Sequence, residues 1–180
     1  MSHLPSLGAE ATILDVFGAY PGIGRHALGL IDAAINTATA LSRAECEMLG
    51  AYVSALNGCG YCQGIHGEVA VACGIDRQAL PSEGTPAYGG EKWLPVFAYA
   101  KALTLTPGSA TDASIAALRS ADWSDDAVMQ ITSVTAFFNF INRVVNGLGL
   151  QGDTDFFRQA GEQIAAAGYG DMARAFPAVG

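Results

Sequence analysis

Two cysteines three positions apart, Cys59 and Cys62, are the residues of this 180-residue sequence best suited to chemistry. His66 follows four positions later, so on one helix the three side chains would share a face. Asn57-Gly58, just before them, is typical of a helix break, which would put both cysteines in the first turn of a new helix. The unpaired amides and the positive dipole end of such a turn favour a thiolate. His66 could then take the proton of the Cys62 thiol.

A carboxylate on the preceding helix is predicted to face this histidine. Ser42-Arg43-Ala44-Glu45 is a capping box that begins that helix, and Asn57-Gly58 ends it. Glu47 lies ten residues before Asn57, and His66 lies eight after Gly58. At a rise of about 1.5 Å per residue, an antiparallel hairpin brings the two to nearly the same height. Glu47 can therefore orient His66 and stabilise its charged form.

The cluster supports more than one hypothesis. The first is a relay from Glu47 through His66 to Cys62 and then Cys59, an activated thiol beside a resolving thiol. A zinc site would use both cysteines and His66, with Cys73 or Glu47 as the fourth ligand. Three ligands within one helix suit zinc poorly, and there is no second CxxC pair. A third hypothesis is a non-enzymatic oligomeric or metal-binding helical module.

The remaining cysteines, the other histidines and the tyrosine between the cysteines are predicted to matter less. Cys46 and Cys73 are expected to pack as small apolar residues. His3 and His26 are expected at the surface or in the N-terminal arm. Tyr61 could line the entrance for a substrate or simply pack against its neighbours.

Composition excludes several classes of partner. Nine Lys plus Arg against seventeen Asp plus Glu give a formal net charge of −8. This charge does not favour binding to nucleic acid or to an anionic membrane. No apolar run approaches the roughly 18–20 residues of a membrane span, and the N-terminus lacks a signal-peptide pattern. We expect a soluble, cytoplasmic protein, in which a CxxC pair is redox-active or metal-binding rather than a structural disulfide.

The periodicity of the apolar residues predicts an all-α protein with no strand. We expect a single domain over residues 1–180, with an active-site half at about 26–80 and a second half at about 91–150. Residues 81–90 are predicted to form a loop. Helices are predicted near residues 13–18, 26–40, 42–56, 59–73, 91–105, 112–120 and 124–142, and over 154–175 apart from Gly168 and Gly170.

The two halves also align as a candidate internal repeat. Residues 41–57 lie on 123–139 without a gap, and both segments begin with a leucine or tryptophan followed by serine and end in asparagine. The second copy would be a degenerate scaffold, because it lacks every residue of the relay. The counterparts of Glu47, Cys59, Cys62 and His66 are Met129, Ile141, Val144 and Leu148.

The string Glu47-x11-Cys59-x2-Cys62-x3-His66 resembles the alkylhydroperoxidase-D-like members of the carboxymuconolactone decarboxylase superfamily. More narrowly, residues 41–45 ahead of 57–62, and the stretch 137–149, resemble the group called peroxidase-related enzymes. The similarity covers most of residues 27–150. It implies an all-α (AhpD-like) bundle that forms homo-oligomers, from dimers to trimers and hexamers.

The resemblance also implies reduction of hydroperoxides in antioxidant defence, through a cysteine pair and without haem, flavin or metal. Cys62 would form the sulfenic acid, Cys59 would resolve it to a disulfide, His66 would be the base, and Glu47 would complete the relay. The electron donor would be a dithiol or a protein reductant. Tyr61 stands where some members carry a second histidine, which puts the rate and the choice of reductant in doubt.

Two other activities fit less well. The decarboxylase activity of the superfamily uses no CxxC pair. A protein disulfide reductase or isomerase would use the same residues, although a thioredoxin motif follows a strand and this CxxC follows a capped helix.

Overall fold

The computed structural model describes residues 2–36, 40–80 and 88–177, and these residues form helices and loops without a β-strand. The all-α prediction is confirmed. None of the helices in this part of the chain combines the length and apolarity needed to cross a bilayer. The helices are α1 (Ile13–Ala19), α2 (Pro21–Asn36), α3 (Arg43–Leu56), α4 (Gly60–Ala72), α5 (Leu94–Leu105), α6 (Asp112–Ser120), α7 (Asp125–Leu148), α8 (Thr154–Ala167) and α9 (Tyr169–Arg174).

Helices α3 and α4 form the hairpin that carries the cysteines. The predicted capping box begins α3: the Ser42 side chain accepts a hydrogen bond from the Glu45 amide, and Glu45 accepts from the Ser42 amide at 2.8 Å. The chain turns at Gly58, whose φ of +62° is a left-handed conformation that suits glycine. Cys59 is the N-cap of α4, and Gly74, at φ +110°, follows the C-cap. The predicted helix break and helix end are confirmed.

Helix α3 lies at the centre of the bundle, between α4 and α7, and ten of its fourteen residues are buried. Gly50 allows the close approach of α7, because a Cβ at that position would lie 2.2 Å from the Phe138 ring. Helix α4 also packs on α8, and α2 packs on α7 and α9. The two faces of the hairpin are therefore covered by different parts of the chain.

Several predicted helix bounds need correction. Helix α2 begins at Pro21 rather than near residue 26, since proline is favoured at a first helical position. Helix α5 begins at Leu94, after a short 3₁₀ turn at Gly90–Lys92. Helix α7 continues to Leu148 instead of ending at 142, because the chain first turns left-handed at Gly149, at φ +66°. Residues 37–39 of the predicted second helix and 81–87 of the predicted loop lie outside the described residues.

The C-terminal helices return to the other end of the chain. Gly168 separates α8 from α9 with a φ of +77°. Helix α9 is attached to α2, where the Gly170 amide donates to Asp32 Oδ1 at 2.9 Å and Arg25 donates to the Phe176 carbonyl at 3.0 Å. This attachment brings the side chain of Tyr169 into the interior.

Candidate active site

The cysteine pair lies at the start of α4, where the sequence predicts it. Cys59 is the N-cap and Cys62 lies in the first turn, and both are free thiols. Cys59 has no exposed surface, and Cys62 is 3% exposed. The pair is therefore reachable only through an internal space, not from an open surface.

The two thiols are electrostatically unequal. The pKa of Cys59 lies below its usual range because the Cys62 thiol donates a hydrogen bond to it, and the Cys62 amide and the Asn142 side chain add to this effect against the opposing cost of burial. The pKa of Cys62 lies well above its usual range, chiefly because of that same hydrogen bond to Cys59 and then because of burial. Cys59 is therefore the first of the two thiols to lose its proton.

Asn142 connects this pair to α7. Its side chain hydrogen-bonds both cysteines, which lowers the pKa of each. It also accepts from Asn57 Nδ2 at 2.9 Å and donates to Ser54 Oγ at 3.0 Å. The residue is completely buried, so these contacts satisfy its amide and fix it between the hairpin turn and the thiols.

Glu47 and His66 face each other across the hairpin. His66 Nδ1 lies 2.8 Å from Glu47 Oε2, which confirms that the two residues are at the same height. The carboxylate is completely buried, and the His66 side chain is 12% exposed. The Phe138 ring meets the imidazole edge-on at 4.6 Å between centroids. The histidine is thus oriented from one side by a charge and from another by an aromatic ring.

A third polar group joins this pair from the C-terminal helix. The Tyr169 hydroxyl lies 3.2 Å from Glu47 Oε2 and 3.2 Å from His66 Nδ1. Sequence reasoning missed this residue. The only local feature of the sequence that could have drawn attention to Tyr169 is its position between Gly168 and Gly170.

A cavity of about 370 Å³ lies beside Cys62 and His66 and has mostly apolar walls. Cys62, His66 and Tyr169 line it, whereas Cys59 is not among the described residues that do. Leu14 and other exposed residues belong to the lining, so the cavity reaches the surface. The apolar wall includes Leu28, Ile31, Phe137, Ile141, Val145, Phe156 and Ile164.

Tyr61 also lines this cavity, and it packs at the same time. Its hydroxyl accepts a hydrogen bond from the Ile13 amide at 3.1 Å, and its ring lies against Phe156 and Phe157. Burial raises the pKa of Tyr61 to about 12. The residue therefore tethers the start of α1 to α4 and forms part of the cavity wall.

The other cysteines and histidines lie apart from the pair. Cys46 is buried, which raises its pKa to about 12, and Gln130 donates to its sulfur. Cys73 is the half-buried C-cap of α4. His3 and His26 are exposed, as expected. Within the described residues, no three His, Cys, Asp or Glu side chains are grouped so as to hold a metal ion.

Comparison with known proteins identifies the architecture. No protein-family model and no curated protein matches the chain. An uncharacterized peroxidase-related protein from Silicibacter sp. TM1040 superposes with a TM-score of 0.74 at 23% identity, over 82% of this chain and 79% of that one. The chain has the alkylhydroperoxidase-D-like fold.

A second solved structure of this fold gives the same result. It is an alkylhydroperoxidase AhpD core, from an uncharacterized peroxidase-related protein of Ralstonia eutropha JMP134. It matches with a TM-score of 0.66 at 23% identity, over 83% of this chain and 80% of that one. The resemblance drawn from the sequence motifs is confirmed at the level of the AhpD-like fold.

Proposed function

We propose that this AhpD-like chain is a thiol-dependent peroxidase that reduces hydroperoxides with Cys62 and Cys59. One observation carries the proposal: Cys62 and His66 line the same cavity, and the buried Glu47 holds His66 Nδ1 at 2.8 Å. A cavity that reaches the surface, an oriented base and a thiol with a second thiol beside it are the parts that such a reaction needs.

The reaction begins with attack on the peroxide. The Cys62 sulfur, once deprotonated, attacks the terminal oxygen of the hydroperoxide, and the O–O bond breaks. An S–O bond forms, and the alcohol leaves with the proton that the thiol gave up. Cys62 is then a sulfenic acid, oxidised by two electrons, and the peroxide is reduced by two.

The second thiol completes the turnover. The Cys59 sulfur attacks the sulfur of the sulfenic acid, forms the disulfide and releases water. Its lowered pKa suits it to this step, because a thiolate is the attacking species. A dithiol or protein reductant must then supply two electrons to restore both thiols.

His66 is the group proposed to move the proton of Cys62. A hydrogen bond from Nδ1–H to Glu47 leaves Nε2 as the free, basic nitrogen of the imidazole. The raised pKa of Cys62 makes such help necessary, since this thiol does not ionise by itself near neutral pH. The relay thus explains why a buried carboxylate is present at this position.

The burial of the pair favours a small substrate over a protein disulfide. Cys59 has no exposed surface and Cys62 has 3%, so a folded partner would have to open the bundle to reach either sulfur. The apolar cavity suits a hydroperoxide with an apolar group. A cytoplasmic location and a homo-oligomeric state remain predictions from the sequence.

Thiol counting after one equivalent of tert-butyl hydroperoxide tests the proposal. Samples are quenched in denaturant so that buried thiols are titrated. The wild type and the control variant Cys73→Ser should each lose two thiols per chain, and Cys62→Ser should lose none. Cys59→Ser should accumulate a dimedone-reactive sulfenic acid on Cys62.

Two results would contradict this mechanism. One is a wild type that keeps all four thiols. The other is a Cys62→Ser variant that loses thiols as readily as the wild type. Reduction of insulin disulfides faster than peroxide turnover would instead support the protein disulfide reductase hypothesis.

A further inference from the structure

We infer that Tyr169 is a positioning residue of this site: its hydroxyl holds the Glu47–His66 pair in the geometry that leaves His66 Nε2 free to accept a proton. The inference rests on the proposed function and deepens it. It also makes the C-terminal helix α9 a component of the site, although it lies more than one hundred residues from the cysteines in sequence.

Three polar groups form a closed triangle. Glu47 Oε2 lies 2.8 Å from His66 Nδ1, and the Tyr169 oxygen lies 3.2 Å from each of those atoms. Tyr169 is 4% exposed, and Glu47 has no exposed surface. Water therefore has little access to the carboxylate, and Glu47 Oε2 depends on His66 and Tyr169 for its hydrogen bonds.

The triangle selects one histidine tautomer. A carboxylate only accepts, so two donors can share Glu47 Oε2: Nδ1–H of His66 and the hydroxyl of Tyr169. The opposite tautomer would leave the Nδ1 lone pair facing the carboxylate at 2.8 Å. The tyrosine hydroxyl, by donating to the same oxygen, keeps that oxygen in place and spreads its charge.

Tyr169 can fill this role over the whole working range of pH. Burial raises its pKa well above the usual value, and the neighbouring charge of Glu47 and the hydrogen bond to it act in the same direction. Cys73 adds to the shift, and Arg43 opposes it. The hydroxyl therefore remains a protonated donor while the histidine and the cysteines exchange protons.

The element that delivers Tyr169 is held by α2 as well as by the hairpin, where Arg43 donates to the Ala165 carbonyl at the end of α8 at 3.0 Å. Helix α9 is fixed to α2 through Gly170 and Asp32, and the chain just beyond it through Arg25 and Phe176. Gly168, with its φ of +77°, provides the turn that aims the tyrosine inward. The position of the hydroxyl is thus set partly by α2, which also lines the cavity.

The variant Tyr169→Phe, compared with Tyr99→Phe, tests the inference. Tyr99 is also buried, and its hydroxyl hydrogen-bonds Thr132 at 3.0 Å on α7, so the control loses a tyrosine hydroxyl bond at another position. The rate of peroxide-dependent thiol loss, its KM for peroxide and the rate of alkylation of Cys62 by iodoacetamide are measured on the full chain.

We expect Tyr169→Phe to lower both rates about tenfold, the scale of one hydrogen bond to a charged group, with KM for peroxide unchanged. The loss should appear in the rates and not in KM, because the hydroxyl positions the Glu47–His66 pair and is not proposed to bind the peroxide. Tyr99→Phe should match the wild type in both respects.

Equal rates for the two variants would overturn the inference. If Tyr169→Phe does not fold, the imidazole ¹⁵N shifts of His66 in the wild type decide the matter. A protonated Nδ1 and a bare Nε2 at neutral pH support it, and the reverse tautomer overturns it. A wild type that loses no thiols to peroxide refutes the proposed function separately, while alkylation and the tautomer still test the role of Tyr169.

Discussion

The segment that carries the cysteines and its aligned counterpart on α7 begin alike and end differently. Ser42 caps α3 and Ser124 caps α7, each by accepting from an amide three residues on. Sixteen residues after Ser42 the first segment has Gly58, which turns left-handed, while the second has Phe140 and continues as helix to Leu148. The first segment therefore turns back as a hairpin at Gly58, whereas the second continues as one long helix.

The consequence is chemical. The turn at Gly58 creates a new helix start, which holds Cys59 and Cys62 near unpaired amides. The continuous α7 has no such start, and it supplies Phe137, Ile141 and Val145 to the cavity wall instead. Whether the two segments are true repeats remains a prediction from the sequence.

The largest expected effect comes from removing the carboxylate of Glu47, whose counterpart in the second segment is the uncharged Met129. Glu47→Gln keeps the shape of the side chain but takes away the carboxylate that His66 donates to. We expect peroxide-dependent thiol loss to fall about a hundredfold, the scale of general-base catalysis. Stopped-flow measurement of the first turnover gives this rate directly.

The matched control is Met129→Gln, which places the same residue at the counterpart position on α7. Met129 is exposed, so its replacement should change neither rate nor stability noticeably. If Glu47→Gln reacts as fast as this control, the relay does not contribute to the reaction.

A smaller effect is expected at the turn itself. Alanine at Gly58 meets no atom within 4 Å but must adopt a φ of +62°, which should lower the free energy of unfolding by about 1–2 kcal/mol. Gly147→Ala makes the same change inside α7, again with open space around the new methyl group, and should stabilise by about 0.5–1 kcal/mol. Urea unfolding of both variants measures the difference.

If the free energy of unfolding falls in Gly58→Ala and rises in Gly147→Ala, the conformation at Gly58, and not the space around it, separates the two segments. A Gly58→Ala variant as stable as Gly147→Ala would show that this turn does not require glycine.

The smallest expected effect is at Asn142, the α7 residue that hydrogen-bonds Asn57 and Ser54 of the hairpin. In the wild type, titration at 240 nm should show a first thiolate forming below the usual cysteine range and a second forming well above it. Asn142→Ala removes a donor that lowers the pKa of both cysteines, so both steps should move to higher pH. Alkylation at neutral pH should slow about threefold, as for a weakened hydrogen bond.

Asn139→Ala is the matched control, because Asn139 also hydrogen-bonds Asn57 from α7 and is not among the groups that shift the pKa of either cysteine. It should leave the thiol titration unchanged. Identical titrations for Asn142→Ala and the wild type would mean that the thiolate needs no support from α7.

Much of the hairpin could be predicted from the sequence because its signals are local. The capping box of α3, the break at Asn57-Gly58 and the count of residues on each side of it predict the meeting of Glu47 and His66, which the structure has at 2.8 Å. The sequence predicts the start of α2 too late, because Gly22 and Gly24 lie near that start and glycine is a poor helix former.

The contacts that come from distant parts of the chain could not be predicted in this way. Asn142 and Tyr169 lie 80 and 103 residues beyond Cys62 and His66, and no periodicity or spacing relates residues so far apart. The cavity wall likewise combines side chains from α1, α2, α7 and α8. Only the packing of those helices on the hairpin brings them together.

The sequence by itself determined the hairpin, the cysteine pair at its second helix and the carboxylate opposite the histidine, since these depend on backbone preferences and on the rise of a helix. The tertiary structure decided which thiol faces the cavity, which one loses its proton first and what surrounds the histidine. These properties depend on burial and on hydrogen bonds from α7 and α9, and burial exists only after the bundle has closed.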